Sequence, residues 1–136
     1  MKTWSLIILI LALTIAVAPT FASQSSQPKA AVPKYDPATE GVFKGTVQEV
    51  KDRQCAVSGG MGSHVILKLD DGTTIEVHLA PTKFTQTYEL VFAVGDKLEV
   101  TGSKVKFEDV DTIFAREVKR GQDDFVFRDK DSKPVW

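Results

Sequence analysis

From Gly41 onward apolar and polar residues alternate at every second position, the spacing of strands that bury one face. Phe43, Gly45 and Val47 share one face of a first strand. Val50 has the wrong parity to continue that face, so a bulge or bend is expected near Gln48-Glu49. Residues 52–63 hold Gly59, Gly60 and Gly62 and read as a long mobile loop. Val65, Leu67 and Leu69 then alternate with His64, Ile66 and Lys68, and Asp71-Gly72 marks a hairpin turn into Ile75, Val77 and Leu79. A two-residue loop would set Leu67 opposite Glu76 and mix the faces. A loop of Asp71 to Thr73 sets Leu67 opposite Val77, Leu69 opposite Ile75 and Lys68 opposite Glu76, and is the expected register.

Pro81 stops the third strand and suits a first helical position, while Phe84 and Tyr88 share a helix face, so a short helix is expected over residues 81–89. Gly95-Asp96 is a turn. Leu98 and Val100 begin a fourth strand, with Gly102 permitting a bend before Val105 and Phe107. Residues 112–119 form a fifth strand, and Phe125-Val126-Phe127 a short extra one. Three strands, a helix, then two strands is the order of an OB-fold. The expected fold class is therefore all-β: a five-stranded OB-fold-like Greek-key barrel, with one short helix between strands 3 and 4.

The N-terminal stretch follows other rules. Lys2 precedes an apolar run from Leu6 to Val17, interrupted by Thr14, and Thr20-Phe21-Ala22 places small residues before a cleavable bond. Residues 1–22 read as a secretory signal peptide. As an uncleaved anchor the run is short of the roughly 20 apolar residues a membrane span needs. Residues 23–40, rich in Ser, Gln, Pro, Ala and Lys, read as a flexible tether, leaving residues 41–136 as the domain. Export to the periplasm or beyond follows. The leader carries one lysine and no acid, so the exported chain has a net charge of −2. This balance disfavours nucleic acid, as does an outer face of His64, Ile66, Lys68, Glu76 and His78 without a stacking aromatic. Lys104, Lys106, Lys119 and Arg120 form a basic cluster diluted by Glu108, Asp109 and Asp111.

Candidate chemistry is sparse. Cys55 is the single cysteine, which excludes an internal disulfide framework and any multi-cysteine metal or iron–sulfur site. It either pairs between molecules or stays buried and inert. In the expected register His78 faces Ile66 and His64 faces Ala80, making the two imidazoles diagonal neighbours. They either stabilise the barrel through hydrogen bonds, contact a ligand, or share a metal supplemented by a carboxylate such as Glu76. Arg116 offers a fork matched to carboxylate or phosphate, or a structural ion pair with Asp129 or another acid of the tail. The candidate ligand-binding residues are thus His64, Lys68, His78 and Arg116, with the 52–63 loop beside them. No serine lies in a nucleophile-elbow context and no nucleophile is paired with an oriented base, so an enzyme is not expected.

Several segments carry a resemblance when taken together. They are Glu76-Val77-His78-Leu79-Ala80-Pro81 with Phe84, Gly95-Asp96, Val100-Thr101-Gly102-Ser103, Ala115-Arg116-Glu117-Val118, and Phe127-Arg128-Asp129 with Pro134 and Trp136. Over residues 41–136 the chain resembles a family of exported bacterial OB-fold domains. It is similar to the magnetosome MamS/MamX-type domain and more loosely to the bacterial stress-tolerance OB-fold family. Ala80 and Ser132 stand where that pattern has glycine. The resemblance implies export and an OB-fold, and little chemistry. MamX-type proteins carry haem-attachment motifs, but Cys55 lacks a Cys-x-x-Cys-His context, so no covalent haem and no other cofactor is expected. The expectation is a monomeric binding module for an unidentified protein, peptide or small ligand. A metal- or redox-associated accessory protein using His64 and His78 is the alternative.

Overall fold

The computed structural model describes residues 31–136. The leader expected over 1–22, and the tether up to residue 30, lie outside the described residues. Six strands follow a short 3-10 turn at Pro37–Thr39: β1 (Glu40–Cys55), β2 (Gly60–Leu69), β3 (Thr74–Pro81), β4 (Lys97–Phe107), β5 (Val110–Arg120) and β6 (Asp123–Val126). One helix, α1 (Thr82–Thr87), lies between β3 and β4, inside the 81–89 span expected for it. Sheet neighbours run antiparallel in the order β3-β2-β1-β4-β5-β6, and a parallel pairing of β3 with β5 closes the first five into a ring.

The ring interior is the main core. Val47, Val65, Leu67, Val77, Leu79, Leu98, Val100, Ile113 and Val118 are all buried there. These are the inward positions of the alternation, and each strand supplies every second residue. The expected irregularity in β1 falls between Val47 and Glu49, where one extra residue restores the parity of Val50. The β4–β5 register shifts between Thr101 and Gly102, with Arg116 of β5 the extra residue. A Cβ at Gly102 would stand 2.4 Å from the Phe114 carbonyl oxygen, so the bend needs glycine.

The β2–β3 turn corrects the expected register by two residues. The loop is Asp70-Asp71-Gly72, with the Leu69 amide donating to the Thr73 carbonyl at 2.8 Å. Gly72 sits at φ +85°, at the third loop position, where such a turn demands a left-handed residue. The expected loop had put that glycine in the middle. Leu67 therefore faces Ile75, and Lys68 faces Thr74 rather than Glu76. The apolar faces are unchanged because the slip is even.

The long 52–63 loop is also corrected. β1 continues to Cys55, β2 starts at Gly60, and only Ala56 to Gly59 form a turn between them. Lys51 to Gln54 lack apolar alternation, and backbone pairing to β2 from Lys51↔His64 to Cys55↔Gly60 holds them extended. Residues 31–40, expected within the tether, lie against the strands. Tyr35 packs on the Cys55–Phe107–Phe114 cluster and its hydroxyl meets the Glu40 carboxylate. The Asp36 amide donates to Ser103 Oγ at 3.0 Å.

Candidate metal centre

Three consecutive strands each deliver one ligand-type side chain to one place. Cys55 ends β1, His64 lies in β2 and His78 in β3. The shifted hairpin register sets His64 directly opposite His78 instead of diagonal to it. Their rings meet edge to face, with centroids 4.9 Å apart and an interplanar angle of 84°. One ligating atom from each of Cys55, His64 and His78 lies within 4.8 Å of the others. Donor atoms around an ion at ~2.0 Å to nitrogen and ~2.3 Å to sulfur stand roughly 3.5–4 Å apart, so side-chain adjustments of about 1 Å would close the set.

The site lies on the outer face of β2 and β3, as the alternation implies, but that face is covered at the histidines. His64 is 0% and His78 1% exposed. Phe107, Phe114 and Cys55 form a second small core there. The His78 ring lies 5.6 Å from that of Phe114 and 6.3 Å from that of Trp136, by centroids. Ser58, in the β1–β2 turn, hydrogen-bonds His78 Nε2 at 2.8 Å.

His64 is the least satisfied group. Neither of its ring nitrogens makes a hydrogen bond. Glu76 Oε1 approaches Nδ1 at 2.8 Å, an ion-pair distance, but from a direction that fails as a hydrogen bond. Hydrogen bonds weaken steeply off line, so the short distance does not satisfy Nδ1. Nε2 faces Gly62: a Cβ there would stand 3.1 Å from it, 3.0 Å from Cys55 Cβ and 2.6 Å from Ser58 Oγ. The missing side chain of Gly62 thus lets Ser58 Oγ, Cys55 and the His64 ring close in against the strand backbone. Glu76 is itself held by Arg53 at 2.8 Å and by Lys51 at 4.0 Å.

Burial holds both imidazoles neutral. It pushes His64 below the ordinary histidine range, against the opposing pull of Glu76. It pushes His78 down to about 3, assisted by His64 and Arg128. Neutral imidazole is the ligating form.

The other expected site residues lie elsewhere. Lys68 is exposed, four positions beyond His64, or about 13 Å along the strand. Arg116 is engaged in a two-pronged ion pair with Glu40, at 3.0 Å from Nε and 2.9 Å from Nη2. Its partner is the first residue of β1, not an acid of the tail where Asp129 lies. The basic cluster is likewise paired with acids: Lys106 meets Asp111 at 2.9 Å, Lys119 meets Glu117 at 3.2 Å and Arg120 meets Asp96 at 3.2 Å. Sequence reasoning missed Cys55, Ser58 and Gly62 as parts of the site. Their signal was the proximity of a short turn, hidden once 52–63 was read as a loop.

The fold and the site define a small all-β domain, a closed ring of strands with a buried Cys/His/His cluster on its outer face. The MamS/MamX magnetosome protein family matches residues 39–125, and the chain belongs to it. No curated protein matches the chain. Among the described residues, no helix is long and apolar enough to cross a membrane.

Proposed function

We propose that this chain is an exported, non-enzymatic accessory protein of the magnetosome family, an OB-type binding module whose ligand is a metal ion. Cys55, His64 and His78 hold the ion. The observation that carries the reading is the convergence of three buried ligating side chains within 4.8 Å, one of them an imidazole without a hydrogen-bond partner. A buried polar group left unsatisfied costs about 1–3 kcal/mol, and an ion at the nitrogen facing Gly62 removes that cost at Nε2 of His64. Glu76 Oε1, 2.8 Å from Nδ1, is the carboxylate nearest the far side of that ring. The ring order β1-β2-β3-β5-β4 supports the OB-type reading.

Catalysis is not part of the proposal. Ser58 and His78 stand at the distance of a nucleophile and its base. His78, however, is held to about 3 and is a poor base at neutral pH. Elemental analysis of protein purified without a histidine tag tests the reading. About one ion per chain is expected, and its loss in a His64→Ala/His78→Ala double variant. Less than about a tenth of an equivalent after anaerobic loading would sink the proposal.

A further inference from the structure

We infer that the centre selects copper(I), a soft monovalent ion, over divalent ions. This rests on the metal reading of the cluster and is a separate claim about the kind of ion. Three observations carry it.

The donor set is one sulfur and two imidazole nitrogens. Thiolate favours soft ions, and imidazole accepts copper as readily as zinc. Zinc in a structural site closes its shell with four ligands, and a hard ion calls for oxygen. Glu76 is the carboxylate at hand, and its Oε1 is committed to Arg53 at 2.8 Å while lying against Nδ1 of His64.

The surroundings exclude water. His64, His78, Phe114 and Cys55 are each 3% exposed or less, and Phe107 covers them. The oxygen at the cluster is the Ser58 hydroxyl, 2.8 Å from His78 Nε2, a weak neutral donor, and copper(I) accepts three donors without it.

The charge balance favours a single positive charge. Cys55 contributes one negative charge when it ligates, which cancels a monovalent ion. A divalent ion leaves an uncompensated charge in an apolar pocket, and such burial is costly. Glu76, the carboxylate beside His64, is already shared between Arg53 and Lys51, and further cations lie nearby. The Arg53 guanidinium lies 5.8 Å from the Phe107 ring centroid, and that of Arg128 lies 5.3 Å from the Trp136 ring. Loading breaks the Cys55 S–H bond and forms an S–Cu bond. The proton leaves to solvent, the imidazoles enter neutral, and no electron is transferred.

The test is an anaerobic competition titration of the untagged protein. Copper(I) is delivered as a complex with a chromophoric chelator, and zinc(II) and iron(II) are titrated in parallel. The copper-loaded sample is then read by X-ray absorption. The expected result is one copper(I) per chain, bound by one sulfur and two nitrogens. Zinc(II) and iron(II) should bind at least about a thousandfold more weakly. Cys55→Ser, close in size, should lose copper(I) by a similar factor while keeping the far-ultraviolet circular dichroism of the parent. Zinc(II) or iron(II) held as tightly as copper(I), or a four-coordinate copper, overturns the ion assignment and leaves the metal centre standing. Unchanged copper(I) affinity in folded Cys55→Ser also overturns the assignment. If none of the three ions is retained, both proposals fall together.

Discussion

Gly62 shows how a residue without a side chain can define a site. Alanine there would press on Ser58 Oγ, Cys55 Cβ and His64 Nε2 at once. Overpacking of this kind costs about 1–3 kcal/mol, so Gly62→Ala should lower the unfolding midpoint in urea modestly. Metal retention should fall far more, because the added methyl would push Cys55 and His64 out of their present approach. Parallel elemental analysis and urea melts would separate the two effects. The imidazoles set a second expectation at this scale. Both are neutral in the folded chain, while histidines in the unfolded chain protonate near 6.5. Below that value the unfolded state binds more protons, so metal-free protein loses stability as pH falls from about 6.5 toward 3. Thermal melts across that window should show the decline, and His78→Phe should flatten part of it.

At the level of elements, turns decide what alternation cannot. The phase of apolar residues in β2 and β3 identified the two faces, because an even slip leaves parity intact. It could not choose between registers two residues apart, and that choice separates diagonal histidines from facing ones. Gly72 made the choice, through a left-handed turn position invisible to a count of hydrophobic residues. The helix, the bend at Gly102 and the bulge after Val47 were legible because proline, glycine and parity leave local marks. The end of β1 was not, since charged residues occupy a strand held by its neighbour. Burial of the histidine face was also hidden, because the cover comes from Tyr35, Phe107, Phe114 and Trp136, distant in sequence. Gly102→Ala tests the bend directly. Its new methyl would face the Phe114 carbonyl oxygen at 2.4 Å and Ile113 Cγ2 at 2.7 Å. A loss of about 1–3 kcal/mol in urea unfolding is expected.

For the whole molecule, the N-terminal arm meets the ring where the Tyr35 hydroxyl reaches the Glu40 carboxylate that Arg116 holds, with Tyr35 against the cluster beneath. Both charged side chains are about a quarter exposed, so solvent screens the pair. A double-mutant cycle of Arg116→Ala and Glu40→Ala should give a coupling of about 1 kcal/mol or less, shrinking with added salt. Hydrogen exchange at the Asp36 amide should quicken in either variant, as the arm loosens.

The three proposed ligands also have a timetable written into their positions. Cys55, His64 and His78 belong to one continuous meander of β1, β2 and β3, whereas ring closure waits for β5, with His78 meeting Phe114. Local pairings form before distant ones, because closing a longer loop costs more entropy. On the proposed function, an ion would be captured on the half-formed sheet and sealed in when β5 docks. Once sealed, it should leave no faster than the structure opens. Its release rate, followed by chelator trapping, should match the exchange rate of the β5 amides rather than the concentration of chelator.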